Sequence, residues 1–169
     1  MNPPSCSSLP CRSIILRVAS MAKAAVHKAR LLCSSIGYFR LMGPSMRPTF
    51  DDFNIVLAEK ISILRGKVAR GDIVMFVSPE PSRKFLTKRV KAVGGDVVSY
   101  ATISRARGYT DLKKTLVVPN GHVWVQGDNL LYSRDSRHFG AVPYAYLCFR
   151  VFAVVWPLRD CRLMRNKIE

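Results

Sequence analysis

Cys-x-x-Cys pairs are missing from this 169-residue chain. Its five Cys are an odd number and none belongs to a Cys-x-x-Cys pair, which excludes a dense disulfide scaffold and a standard zinc finger. The three histidines, His27, His122 and His138, show no metal-ligand spacing, so we expect no metal ion and no other cofactor. Since 49% of the residues are hydrophobic and 22% are charged, we expect one globular domain with a real core.

Acidic side chains are absent from the first 50 residues. This stretch carries seven basic residues: Arg12, Arg17, Lys23, Lys28, Arg30, Arg40 and Arg47. The whole chain has 27 Lys and Arg against 11 Asp and Glu, a net charge of +16. An excess of this size suits a phosphate backbone, an anionic membrane surface or an import system that reads basic presequences, and a generally basic solvated surface is the simpler alternative.

A long apolar run is also lacking, since a membrane-spanning helix needs about 20 predominantly apolar residues. Ser13–Met42 has no Pro, one Gly and apolar residues near a 3.6 period, which predicts a helix. Its longest charge-free piece, Leu31–Phe39, has nine residues. We therefore interpret residues 1–42 as a basic segment for targeting or membrane association, in contact with membrane lipid.

After Gly43 the chain changes to short runs rich in Val, Ile and aromatic residues, separated by turn signals. The predicted strands are Asn54–Ala58, Ile73–Val77, Val97–Tyr100, Thr115–Val118, His122–Val125 and Val151–Trp156. Ser99–Lys114 is interpreted as a hairpin excursion or surface loop. The apolar stretch Ala141–Leu158 is broken by prolines and by Arg150, so a buried strand is favoured over a membrane helix. The prediction is a mostly β barrel or sandwich over residues 43–158, followed by a basic tail, residues 159–169.

Ser45 lies in the sequence Gly-Pro-Ser-Met-Arg-Pro-Thr, residues 43–49. Gly permits close approach of another chain and Pro restricts the backbone, so this frame can expose a hydroxyl and direct backbone N–H groups at a developing oxyanion. The same sequence is also compatible with an ordinary turn.

Lys88 lies in the strand-like run Phe85–Val90. A lysine can act as a base when it is neutral, and burial in an apolar site favours the neutral amine. Strand alternation sends Lys88 and Arg89 to opposite faces, so that one can be buried while the other is solvated. A plain basic strand edge is the alternative interpretation.

Several motifs follow the Gly43–Thr49 motif in a fixed order along the chain. They are Arg70-Gly71-Asp72-Ile73-Val74, Lys88-Arg89-Val90 with Gly94-Gly95-Asp96, Gly127-Asp128-Asn129, Ser133-Arg134-Asp135-Ser136-Arg137, and Gly140 with Pro143. Each motif is weak alone, but the ordered set, over about two thirds of the chain, resembles the type I signal peptidases and most of all their mitochondrial inner membrane branch.

The resemblance implies a signal-peptidase-like fold and serine endopeptidase activity. It makes Ser45 the nucleophile and Lys88 the general base of a Ser–Lys dyad, which needs no histidine. It also implies that the Ser133 hydroxyl helps to orient the lysine, and that Asp135 and Arg137 form a partly buried ion pair that braces the site. A surface salt bridge is the alternative for that pair.

Two features depart from the family's pattern. Gly43 stands where bacterial members usually carry a hydroxyl residue, so the oxyanion hole is expected to use the backbone N–H groups of Gly43 and Ser45. The family also expects a spanning helix before the nucleophile, and Ser13–Met42 is too charged to be a good one.

The resemblance further implies precursor proteins with N-terminal sorting peptides as substrates. It implies a location at the mitochondrial inner membrane, with the catalytic domain facing the intermembrane space, and a second peptidase subunit as a possible partner.

The nearest rival interpretation is a LexA/UmuD-like self-cleaving Ser–Lys protease, although no helix-turn-helix domain is evident. A basic nucleic-acid-binding β-barrel would interleave aromatics with Lys and Arg, and here the aromatics lie mostly in apolar strands, so no nucleic acid partner is expected. An inactive structural subunit is a further alternative, but Ser45 and Lys88 are both present.

Overall fold

The structure is a computed structural model that describes residues 35–101 and 113–164. The strands are β1 (Ile36–Arg40), β2 (Ile55–Glu59), β3 (Ile73–Val77), β4 (Phe85–Val93), β5 (Val97–Ala101), β6 (Lys113–Val117), β7 (His122–Gln126), β8 (Val142–Pro143), β9 (Leu147–Trp156) and β10 (Arg162–Leu163). The helices are α1 (Ile61–Leu64) and α2 (Ser136–Phe139), with 3₁₀ turns at Pro44–Met46, Tyr144–Tyr146 and Leu158–Asp160. The predicted mostly β fold class is confirmed.

Eight of these strands form one antiparallel sheet, curled into a half-barrel, in the order β1-β2-β9-β3-β4-β7-β8, with β10 added to β9. Strands β5 and β6 pair separately as a two-stranded ribbon. The long strand β9 pairs with β2 and β3 through shifted registers. Such irregularities bend and twist a strand locally, which suits a curled sheet.

Val, Ile, Met and Phe side chains form core clusters on both faces of the sheet: along β3, Ile73 and Met75 belong to one cluster, and Val74 and Phe76 belong to another. The cluster with Ile73 and Met75 joins β2, β3 and β9. It also contains Met46, which lies in the 3₁₀ turn of Ser45, and Phe50, which follows that turn. Full burial of such a side chain contributes about 1.5–3 kcal/mol. These two side chains therefore anchor the turn that carries Ser45 to the rest of the fold.

The predicted helix Ser13–Met42 is wrong for its last part, because Ile36–Arg40 form strand β1. This strand pairs along its whole length with β2, from Ile36 opposite Glu59 to Arg40 opposite Ile55. Pairing with a neighbouring strand outweighs the weak helix propensity of five residues. The rest of the predicted helix, residues 13–34, lies outside the described residues. No helix in the described part of the chain has the length and apolar character needed to cross a bilayer.

Most predicted strands are present with shifted ends. Ile73–Val77 has the predicted bounds, and the buried strand predicted within Ala141–Leu158 is β9, which already begins at Leu147. β5 and β6 flank the predicted excursion, whose residues 102–112 lie outside the described residues. Within the predicted tail, β10 pairs with β9, and Arg162 donates to the carbonyl oxygen of Thr49.

Candidate active site

Ser45 lies in the 3₁₀ turn between β1 and β2, in a frame that its neighbours hold in place. Gly43 has a φ of 95°, a conformation that L side chains rarely adopt. Its N–H donates to Asp52 Oδ1 at 2.9 Å, and the carbonyl oxygen of Ser45 accepts from the N–H of Asn129 at 3.1 Å. The turn is therefore fixed on both sides of the serine.

Lys88 reaches the same point from β4, 43 residues along the chain. Its Nζ lies 2.7 Å from Ser45 Oγ and donates to it, while the Lys88 residue is only 2% exposed. Burial lowers the pKa of Lys88 from 10.5 to about 8; the nearby Asp135 and Asp128 carboxylates oppose the shift, and the Arg137 guanidinium adds to it.

The lowered pKa changes what Lys88 can do at neutral pH. With a pKa near 8, about one molecule in ten carries the neutral amine at pH 7, whereas an ordinary lysine is neutral in fewer than about one molecule in a thousand. A neutral amine at hydrogen-bond distance can accept the proton of a serine hydroxyl. The geometry and the charge state therefore suit a nucleophile with its base.

Asp135 and Arg137 form an interior ion pair beside the lysine. The Arg137 guanidinium donates to Asp135 Oδ1 at 2.8 Å and to Oδ2 at 2.9 Å, and the two side chains are 5% and 0% exposed. Burial by itself would raise the pKa of Asp135, but hydrogen bonds from Arg137, Ser133 and the Gly127 N–H lower it. The alternative of a surface salt bridge does not describe this pair.

Ser133 lies next to this pair, and its hydroxyl donates to Asp135 Oδ2 at 2.7 Å. Its predicted task of orienting Lys88 stays a prediction, since the contact that the structure gives this hydroxyl is with the carboxylate.

Gly127 is required by close packing at the site. A Cβ at this position would lie 2.2 Å from Ser133 Oγ and 2.4 Å from the carbonyl oxygen of Ser45, far inside contact distance. The glycine thus separates the nucleophile turn from the loop that holds Asp135. Sequence reasoning quoted the Gly-Asp-Asn motif here without assigning this role.

The expectation that one of Lys88 and Arg89 is solvated is wrong, because both are buried. Arg89 is 9% exposed, and its guanidinium donates to both Asp128 carboxylate oxygens, at 2.8 and 2.6 Å, and to the Thr49 hydroxyl at 3.1 Å. Thr49 in turn donates to Asp128 Oδ2 at 2.5 Å. The physical reason is that the half-barrel covers this face of β4 with the nucleophile turn and the loop after β7. The cluster ties the turn of Ser45 to the strand of Lys88.

The oxyanion prediction needs one correction. The Gly43 N–H already donates to the Asp52 carboxylate, so a substrate oxyanion would have to displace that acceptor. Ser45 N–H is the candidate that remains.

A cleft of about 320 Å³ opens beside Ser45 and Lys88. Its lining is mostly apolar and includes Leu41, Met42, Met46, Phe50, Met75, Phe85 and Leu86. No group of three or more His, Cys, Asp or Glu side chains suited to a metal ion occurs within the ranges 35–101 and 113–164. The chemistry available at the base of the cleft is that of the hydroxyl and the amine.

Comparison with known proteins assigns a class to this site. The family model described as signal peptidase, peptidase S26, matches residues 13–105 and 101–156, which include Ser45 and Lys88. The chain belongs to this family of serine-type peptidases.

Individual relatives with known names are more specific than the family model. The chain is 49% identical over 119 residues to the mitochondrial ATP-independent inner membrane protease subunit 1b of Arabidopsis thaliana, covering 70% of this chain and 69% of that protein. It is 39% identical over 129 residues to the mitochondrial inner membrane protease subunit 1 of Homo sapiens, covering 76% and 75%. Subunit 2 of the Mus musculus protease is 34% identical over 123 residues, covering 70% and 66%. A crystal structure of a signal peptidase I from Enterococcus faecalis aligns with a TM-score of 0.40 and 29% identity, over 48% of this chain and 93% of that one.

Proposed function

We propose that this protein is a serine endopeptidase that removes N-terminal sorting peptides from precursor proteins at the mitochondrial inner membrane. Ser45 is the nucleophile and Lys88 is the general base. The observation that carries the proposal is the 2.7 Å contact between Ser45 Oγ and the Nζ of a lysine that is 2% exposed.

The reaction follows from this contact. Neutral Lys88 accepts the hydroxyl proton as Ser45 Oγ attacks the scissile carbonyl carbon, and the resulting ammonium gives that proton to the leaving amine as the C–N bond breaks. Water then attacks the acyl carbon while Lys88 accepts one of its protons. The ester bond to Ser45 Oγ breaks as Lys88 returns that proton to Oγ, and the product leaves as a carboxylic acid that ionises in water. The Ser45 N–H faces the developing oxyanion.

The unpaired strand edges beside the cleft support binding of an extended peptide. Among the described strands, β1 is paired on one side only, and β4 pairs with β7 only from Arg89 onward, so Phe85–Lys88 keep a free edge. A peptide can add to such an edge through main-chain hydrogen bonds, with side chains in shallow pockets. The apolar lining of the cleft favours small apolar side chains near the cut.

The names of the relatives support the location and the partner. They are mitochondrial inner membrane proteases of two kinds, subunit 1 and subunit 2. We therefore propose that the protein lies at that membrane with its catalytic domain in the intermembrane space and works beside a second peptidase subunit. Residues 1–35, which contain no acid and precede β1, provide the targeting and membrane association in this proposal.

The direct test is cleavage of a precursor by the purified full chain in detergent. The precursor carries an N-terminal sorting peptide, and the Ser45→Ala protein is the matched control. We expect one new N-terminus, identified by sequencing, with the unaltered chain alone. Equal cleavage by the control would exclude Ser45 as nucleophile, and cleavage of the protein's own chain but of no added precursor would favour a self-cleaving protease.

The location is tested separately by fusing residues 1–35, the part of the chain before β1, to a soluble reporter. We expect import into mitochondria and resistance to alkaline extraction. A reporter that stays soluble in the cytosol would contradict the location and leave the chemistry of Ser45 and Lys88 untouched.

A further inference from the structure

The turn between β2 and β3 is an exposed basic surface, which we call the basic turn, residues 60–70. It carries four basic side chains and no acidic one: Lys60, Arg65, Lys67 and Arg70. All four residues are exposed, and so is Leu64 at the end of α1, which is 72% exposed. The basic turn thus combines one exposed large apolar side chain with four exposed cations.

Among the described residues, one of these four cations, Arg70, has an acidic partner. Arg70 pairs with Asp96 at 2.8 Å, whereas the flanking carboxylates of Glu59 and Asp72 are buried against Arg150. Within the described residues, no acidic side chain lies at ion-pair distance from the other three cations, Lys60, Arg65 and Lys67.

The strand register gives the position of the basic turn. Ile36, the first residue of β1, lies opposite Glu59, directly before the turn, whereas Arg40 lies opposite Ile55. The chain therefore enters the sheet at the end where the basic turn lies. The turn of Ser45 follows Arg40 at the other end, about 13 Å further along the strand.

We propose that the basic turn binds the anionic headgroups of a lipid bilayer. This contact holds the domain on the membrane by the end of the sheet at which β1 begins. The proposal rests on the membrane association proposed above and not on the chemistry of Ser45. Lys60, Arg65 and Lys67 lie within reach of headgroup phosphates, each increasing the affinity about fivefold, while Leu64 enters the apolar boundary.

A nucleic acid is the other polyanion that such a surface could bind. Proteins that hold single strands combine cations with aromatic side chains on which bases stack. The basic turn contains no aromatic residue and instead exposes a leucine, a side chain that suits the acyl boundary of a bilayer. These features favour the membrane.

The test uses amine labelling of the full chain, read at each lysine by mass spectrometry. The protein is bound to vesicles of phosphatidylcholine alone, or of an equal mixture with phosphatidylglycerol. We expect Lys60 and Lys67 to be labelled several-fold more slowly on the anionic vesicles, and this protection to be lost at high salt. Lys91 and Lys114, which are exposed elsewhere, serve as internal controls and should not change.

A pair of variants sharpens the experiment. Arg65→Gln should lose most of the protection, whereas Arg159→Gln, in the turn after β9 at the other end of β2, should keep it. Equal labelling on both kinds of vesicle, or equal protection of the control lysines, would overturn the proposal. So would protection by an oligonucleotide without protection by anionic vesicles. Peptidase activity is not read here, so either proposal can fail without the other.

Discussion

Charge is used in opposite ways at the two ends of β1 and β2. At the end near Ser45, five charged side chains are largely or fully buried: Lys88, Arg89, Asp128, Asp135 and Arg137. The carboxylates and guanidinium groups among them form ion pairs with short hydrogen bonds. At the other end, the cations of the basic turn are exposed to solvent.

The difference follows from desolvation. A buried charge costs several kcal/mol unless a partner compensates it, so its geometry is narrowly defined, whereas an exposed charge keeps its water and its freedom. Lys88 is the exception at the buried end, because its nearest polar partner is a neutral hydroxyl. Burial lowers the pKa of Lys88, so that the amine can lose its charge, and the neutral amine can act as a base.

The largest expected effect is the loss of activity in Lys88→Met. The variant should fold but cleave no precursor, since Ser45 then has no base. Because the two residues act as a unit, the Ser45→Ala/Lys88→Met double variant should be no slower than either single one. Single-turnover cleavage measures this, and substantial turnover by Lys88→Met would remove the assignment of the base.

The second prediction contrasts a buried ion pair with an exposed one. Asp135→Asn leaves the Arg137 guanidinium uncompensated in the interior and should lower the free energy of unfolding by about 3–5 kcal/mol. Glu80→Gln breaks the pair with Arg134, whose side chain is 69% exposed, and should lower the free energy of unfolding far less. Urea unfolding of both variants measures the difference. Equal losses would contradict the distinction between the two kinds of pair.

The third prediction concerns Gly127. An alanine there would push against Ser133 Oγ and the Ser45 carbonyl, and a displacement of the nucleophile by about 1 Å can cost about a hundredfold in rate. Gly66→Ala is the matched control, because Gly66 also lies in a turn but has open space around its Cβ position. Its positive φ costs roughly 1–2 kcal/mol of stability without loss of activity. Comparable kcat values for the two variants would refute the packing role.

The fourth prediction is a pH dependence with two readouts. Activity should rise about tenfold from pH 7 to pH 9, since burial lowers the pKa of Lys88 to about 8 and only the neutral amine acts. A profile flat over this range, with chemistry rate-limiting, would contradict it.

Stability is the second readout. Between pH 8 and 10.5 the unfolded chain binds more protons at Lys88 than the folded one, so this residue makes stability rise with pH across that window. Lys88→Met removes the buried charge and should be more stable at pH 7 by up to roughly 3 kcal/mol. A Lys88→Met protein with the same pH dependence of unfolding as the original chain would show that Lys88 is not the group responsible.

The sequence predicted the parts of the fold whose signal is local. Val-rich runs bounded by turn residues located most strands, since alternation and turn chemistry act over a few residues. β1 was not found, because Ile36–Arg40 are a strand only through pairing with β2, which lies outside any short window. The burial of Arg89 together with Lys88 was not predicted for a similar reason, since the partner of Arg89, Asp128, is 39 residues away.

What the sequence determined by itself is the set of motifs: a serine framed by Gly and Pro, a lysine in a strand, and the ordered blocks that resemble one peptidase family. Only the tertiary structure decided that Lys88 loses its water beside Ser45, that Gly127 leaves room for two loops to meet, and that the basic turn lies where the chain enters the sheet. The reason is physical. Residue type sets which chemistry is possible, but burial, distance and register depend on elements that are far apart in the chain.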